Sequence, residues 1–172
     1  MSEESAARVL EGRADRLPER LRVGIAVARW NEPVTRRLLA GAIHRLGAAG
    51  LPESSIDVAW VPGSFELPFA ADRLAATGRY AAIVCLGAII KGETSHDRHI
   101  AAAAAGGIEQ VARSRGLPVI FGVLTCDTLA QAMARAGGDP ADGFAGNKGA
   151  ESAAAAAEMV SLAAAIAAGA AS

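Results

Sequence analysis

The feature that most restricts this chain is an alternation between two apolar periodicities, repeated four times with short connections. Arg22-Val-Gly-Ile-Ala-Val-Ala-Arg29 has the composition of a strand, and Pro33 then opens a segment to Ala49 in which Val34, Leu38, Leu39, Ala42, Ile43 and Leu46 recur at helical spacing until Gly50 stops them. The same reading gives strands at Ser55–Val61, Ala81–Ile90 and Pro118–Thr125, helices at Phe65–Ala76, Glu93–Ser114 and Leu129–Ala136, and a last helix from about Gly149 to Ala168. Nearly unbroken apolar runs such as Ala81–Ile90 belong to strands covered on both faces. Strand and helix in alternation therefore predict an α/β fold, a three-layer sandwich around a four-stranded parallel sheet with right-handed crossovers. The one long connection, Gly137 to Lys148, is rich in Gly, Pro and Asp and separates two helices rather than two domains. A single domain over 21–172 is expected, preceded by an arm at 1–20 that is either mobile or ordered against a neighbour, because its Glu, Arg and Asp show no periodicity.

Composition narrows the partners. The 17 Lys plus Arg against 18 Asp plus Glu leave a net charge of -1, without the basic footprint of a nucleic-acid or anionic-membrane binder. Of the 172 residues 42 are Ala, so large apolar side chains are scarce and one subunit is short of buried area, which points to a homo-oligomer. The segment Ala153–Ala168 is mostly Ala and is broken by Glu158 and Ser161, so it reads as a soluble helix and not a membrane span. Acidic residues from the third position onward and the lack of an apolar core exclude a secretory signal at the N-terminus. Cys85 and Cys126 match neither a redox pair nor a zinc site and are expected as reduced thiols in the cytoplasm.

Ligands of an open parallel sheet bind beyond the carboxyl ends of its strands. Here those exits are Arg29–Glu32, Trp60–Glu66, Gly87–His96 and Val123–Asp127, each gathering polar, aromatic and Gly residues. The third is the richest, since Lys91-Gly92-Glu93-Thr94 leads into a helix start whose free amides suit a phosphate or carboxylate, with His96 in the first turn. An imidazole there can both donate and accept protons near neutral pH, although an isolated His is otherwise a capping or surface residue. His96 and His99 at i, i+3 are also a possible metal pair, but nothing in the sequence completes a coordination sphere. His44 lies on the first helix and faces solvent. Arg135 and Lys148 are candidate anion ligands, and Trp30 and Phe65 are either flat walls for a heterocycle or plain core.

Five blocks, Trp60–Pro68, Leu86–His96, Pro118–Thr125, Arg135-Ala-Gly137 and Gly146-Asn-Lys-Gly149, stand in the order and near the spacing of the lumazine synthases, and the resemblance spans roughly residues 20 to 165. It implies a flavodoxin-like sandwich assembled into pentamers with active sites between adjacent subunits. The implied reaction condenses 5-amino-6-(D-ribitylamino)uracil with 3,4-dihydroxy-2-butanone 4-phosphate, giving 6,7-dimethyl-8-ribityllumazine with no metal or redox cofactor. By the same resemblance Trp30 stacks on the pyrimidine, Ser64, Phe65 and Glu66 bind the ribityl chain, and Ala88, Ile89 and Ile90 read the uracil edge through their backbone. Glu93 and Thr94 correspond to the phosphate-binding helix start and His96 to the proton carrier. Phe121, Arg135 and Lys148 would come from the adjacent subunit.

The chain departs from the family in three places. Asp97 stands where an aromatic is usual, Ala134 where an acid is common, and Gly137–Gly146 is longer than the linker of members that close into sixty-subunit shells. The last favours a pentamer over a decamer or a shell. Two rivals remain: a flavodoxin-like electron carrier, whose Ser-, Thr- and Gly-rich phosphate loop is replaced here by Trp30-Asn-Glu-Pro33, and a non-catalytic relative that binds ribityl-pteridines or flavin or forms shells.

Overall fold

A computed structural model describes residues 7–18 and 20–170. Its centre is strand β1 (Val23–Ala28), buried along its whole length between β2 (Ile56–Val61) and β3 (Ala82–Ile90), with β4 (Val119–Cys126) beyond β3. All pairings are parallel, in the order β2-β1-β3-β4. The helices are α1 (Glu32–Ala48), α2 (Leu67–Ala76), α3 (His96–Arg115), α4 (Leu129–Arg135) and α5 (Lys148–Ala170).

Successive side chains of a strand point to opposite faces, and the core divides accordingly. Ile25 and Val27 of β1 and Val84 and Leu86 of β3 join Val34, Leu38 and Leu46 of α1 and Ala153, Ala156, Ala157 and Val160 of α5. Their alternates Ala26, Ala28, Ile83 and Cys85 face Leu67 and Ala71 of α2 and Ile108 and Val111 of α3. Full burial of each large side chain in these clusters stabilises the fold by about 1.5–3 kcal/mol. The expected three-layer α/β sandwich with a four-stranded parallel sheet is thus the observed one. Both cysteines are free and buried, and burial pushes the Cys85 thiol up to about 12.

Three local readings differ from the structure. The third helix begins at His96 and not at Glu93: Thr94 Oγ1 accepts a hydrogen bond from the His96 amide (3.4 Å), and the Arg98 amide closes the first turn on the Ser95 carbonyl (3.1 Å). Residues Ser64–Glu66 form a separate 3-10 turn ahead of α2, because the Glu66 carboxylate binds back to the Gly63 amide (2.9 Å). The long connection after α4 is not structureless: Asp139 accepts from the amides of Ala141 and Asp142 and starts a short 3-10 turn at Pro140–Asp142.

Residues 1–6 and Glu19 of the expected arm lie outside the described residues. The rest follows its own chain: the Leu17 side chain is buried and its amide donates to the Ala49 carbonyl (2.9 Å), Arg45 donates to the Ala14 carbonyl (2.7 Å), and Gly12 sits against the Glu158 backbone. Residues Lys148–Gly169 are long and apolar enough, by length and composition, to cross a bilayer, and their first half supplies the Ala face described above.

At the amino end of the sheet Asp57 accepts from Arg22 (2.9 Å), Arg79 (2.7 Å) and the Tyr80 hydroxyl (2.7 Å), joining β2 to the entrances of β1 and β3. The Tyr80 hydrogen bond, then that of Arg22, holds the carboxyl down at about 2 against an ordinary value of 3.8. A carboxylate whose folded value is depressed contributes stability above its unfolded pKa and loses it as pH falls through the folded one. Asp57→Asn is therefore expected to lower the urea midpoint at neutral pH, with the gap to wild type closing between about pH 4 and pH 2. An equal gap at both ends of that range would remove the carboxylate from the account.

Candidate active site

The chain runs from β1 outward to β2 and then returns past β1 to β3, so the direction of travel reverses between β1 and β3. Loops on either side of such a reversal diverge and leave a crevice at the carboxyl ends of the two strands. A cavity of about 620 Å³ lies there, walled by the exits of β1, β2 and β3 and by the first turn of α3.

Asn31, at the β1 exit, takes the left-handed conformation (φ 63°) that Asn tolerates, and its amide donates to the Ala88 carbonyl at 2.8 Å. The Trp30 amide donates to the Pro62 carbonyl (3.0 Å), which ties the first two exits together and leaves the indole 75% exposed on the cavity wall. In the next exit Ser64 is buried while Phe65 is 59% exposed and lines the same wall. Gly87 makes this close approach feasible, because a Cβ there would strike the Ser64 hydroxyl. Trp30 and Phe65 are thus walls and not core.

Register explains what β3 offers. Its pairing with β1 stops at Leu86, whereas its pairing with β4 continues to Ile90. Backbone groups of successive residues in a strand point to alternate neighbours. The Ala88 carbonyl faces Asn31 and the Lys91 amide donates to Cys126 on the β4 side (2.9 Å), so Ile90 presents its backbone donor and acceptor on the edge that β1 has left open. Ala88, Ile89 and Ile90 all line the cavity.

Gly92, Thr94, His96, Asp97 and Ile100 complete the lining. His96 is the first residue of α3, at the helix end whose dipole favours an anion, with its own amide on the Thr94 hydroxyl and that of Arg98 on the Ser95 carbonyl. Among the described residues no hydrogen bond engages the His96 ring, which is free to meet a ligand. Glu93 is exposed in the turn between Gly92 and Thr94 and does not line the cavity. His44 is exposed with its ring 5.3 Å from that of Phe144. Among the described residues no three His, Cys, Asp or Glu side chains gather as a metal site.

Nine of the candidate residues, Trp30, Ser64, Phe65, Glu66, Ala88, Ile89, Ile90, Thr94 and His96, thus share one cavity. Phe121, Arg135 and Lys148 do not; they line a separate groove of about 440 Å³ along edge strand β4 and the start of α5. There Lys148 pairs with Glu151 (2.6 Å), while the Arg135 guanidinium, among the described residues, donates only to the Gln131 carbonyl (3.4 Å). The sequence does not single out Asn31, Pro62, Gly63 or Ile100; their signal there is no more than a place at a strand exit or one helical turn beyond His96. Asp97, noted for its type, lines both the main cavity and a neighbouring hollow with Arg98 and Arg135.

A sequence model of 6,7-dimethyl-8-ribityllumazine synthase matches residues 20–164 of the 172. That span takes in all four strands, the whole lining of the cavity and the three groove residues at β4 and α5. The parallel sheet, its switch point and this match agree, and the chain belongs to the lumazine synthase family.

Proposed function

We propose that this chain is a lumazine synthase that condenses 5-amino-6-(D-ribitylamino)uracil with 3,4-dihydroxy-2-butanone 4-phosphate and works as a homo-oligomer, most simply a pentamer. The observation that carries this reading is the division of the site. The cavity offers two aromatic walls, open backbone edges and an imidazole, but among the described residues no Lys or Arg lines it. A phosphorylated substrate needs a countercharge, and the cations stand outside the cavity: Lys91, Arg98 and Arg135 line the neighbouring hollow, and Arg135 with Lys148 lines the groove along the edge strand of the same chain. Placing that groove of one copy against the cavity of the next completes the set.

In such a pocket Trp30 would stack on the pyrimidine while Ile90 and its neighbours pair with the uracil edge. Ser64, Phe65 and Glu66 would receive the ribityl chain, and Thr94 with the first amides of α3 and Arg135 would hold the phosphate. The amine attacks the ketone, the carbinolamine loses water to an imine, inorganic phosphate is eliminated, and ring closure releases a second water. Every step moves protons, which His96 is placed to relay, and holding both substrates together supplies much of the rate. This chemistry makes the enzyme a transferase in riboflavin biosynthesis. Free buried thiols support a cytoplasmic location, and the packing of the Ala153, Ala156 and Val160 face into the core supports reading α5 as a core helix.

Gel-filtered protein supplied with both substrates is expected to form fluorescent lumazine. His96→Ala should lower kcat about 100-fold or more and keep residual activity, since proton transfer contributes ~10²–10⁴. An unchanged kcat would remove His96 from the mechanism. Wild-type protein that retains lumazine or flavin without turnover would favour the non-catalytic binder.

A further inference from the structure

We infer that Asn147 is a positioning residue for the anion-binding pair Arg135 and Lys148: its one carboxamide fixes the end of α4, the start of α5 and their distance from α1. This deepens the proposed function and rests on the assignment of that pair to the phosphate.

Asn147 is fully buried, an unusual place for a residue with four hydrogen-bonding sites unless all are used. Its Oδ1 accepts from the amides of Gly149 (2.8 Å) and Ala150 (3.1 Å), capping α5 immediately after Lys148. The two protons of its Nδ2 are shared among three carbonyls, those of Ala136 (3.0 Å) and Gly137 (2.9 Å), the two residues that follow Arg135, and that of Arg37 on α1 (3.1 Å), so that one N–H is bifurcated. The amide therefore grips the backbone beside each cation and anchors both to the helix underneath. Gly41 of α1 leaves the room, because a Cβ there would run into the carboxamide. Neither Arg135 nor Lys148 has comparable support of its own, since both side chains are exposed and, among the described residues, Lys148 is held only by Glu151 and Arg135 only by the Gln131 carbonyl. The ten residues between Ala136 and Asn147 form a connection, exposed but for Gly137 and the buried Phe144, whose ends this side chain closes.

Two uncharged substitutions test the inference in the assembled protein. Asn147→Ser keeps a capping oxygen but loses the amide donors, and Gly41→Ala displaces the carboxamide without deleting any polar atom. Two quantities are measured: the dissociation constant for inorganic phosphate by titration calorimetry, and the separate KM values of the two substrates. Both variants are expected to weaken phosphate binding and raise the KM for the phosphorylated substrate about 10-fold or more, as small misplacements do. The KM for the amine should stay within about 2-fold, and neither variant should add to the defect in an Arg135→Ala background. A purely structural role would instead leave both KM values unchanged or move them together, and its effect would be additive with that of Arg135→Ala. Either of those results in a folded variant, or failure of both variants to fold, overturns the inference. If wild type makes no lumazine, the functional reading fails by itself, and the phosphate titrations still decide whether Asn147 positions Arg135.

Discussion

Arg135→Ala is expected to raise the KM for the phosphorylated substrate by about 10- to 100-fold while leaving the KM for the amine nearly unchanged. The magnitude follows from losing charged hydrogen bonds of ~1.5–3 kcal/mol, at about 1.4 kcal/mol per decade. Arg135 is the cation to choose because Lys148 already has a carboxylate partner 2.6 Å away, while among the described residues the guanidinium is held only by one backbone carbonyl. Arg135→Lys should recover part of the loss, as a point charge without the planar fork. Mixing Arg135→Ala with His96→Ala subunits should also restore some activity, since a shared site takes one intact half from each copy. Steady-state kinetics of the separate and mixed variants check both points; inert mixtures would place the two groups in the same subunit's site.

The largest stability effect is expected at Gly149. This residue lies where α5 crosses α1, and an added Cβ would overlap the backbone of Leu38, which has no rotamer by which to withdraw. Overpacking typically costs 1–3 kcal/mol and occasionally more, against a gain of about 1 kcal/mol from replacing Gly by Ala in a helix. The steric effect wins, so Gly149→Ala should destabilise the protein by ~2 kcal/mol and disturb the neighbouring Lys148. Gly106→Ala is the matched control: Gly106 is exposed in the interior of α3 with nothing within 4 Å of the added carbon. It should stabilise by about 0.5–1 kcal/mol. Urea unfolding of the two variants measures the contrast, and two shifts of the same sign would mean that the helix crossing has room to adjust.

Much of the architecture was legible because apolar periodicity responds to which faces are covered. Val23–Ala28 and Ala82–Ile90 read as continuous apolar runs since helices lie on both sides of them. The helix starts were harder. Glu93 and Thr94 have compatible residue types, yet the Thr94 hydroxyl takes the His96 amide and delays α3 to His96, a local competition that periodicity does not register. Asn31 escaped notice for a related reason: its part in the site is one hydrogen bond to Ala88, fifty-seven residues away in the chain.

The sequence by itself determined the fold class, the strand exits where ligands gather and, through five ordered blocks, the family, because each is written in residue type and local spacing. Only the tertiary structure decided which residues share the cavity with His96, that Asn31 bonds Ala88 of its lining, and that Asn147 bonds the backbone beside both Arg135 and Lys148. Strand order and register fix which loops meet across the sheet, and these depend on long-range packing that no local spacing encodes.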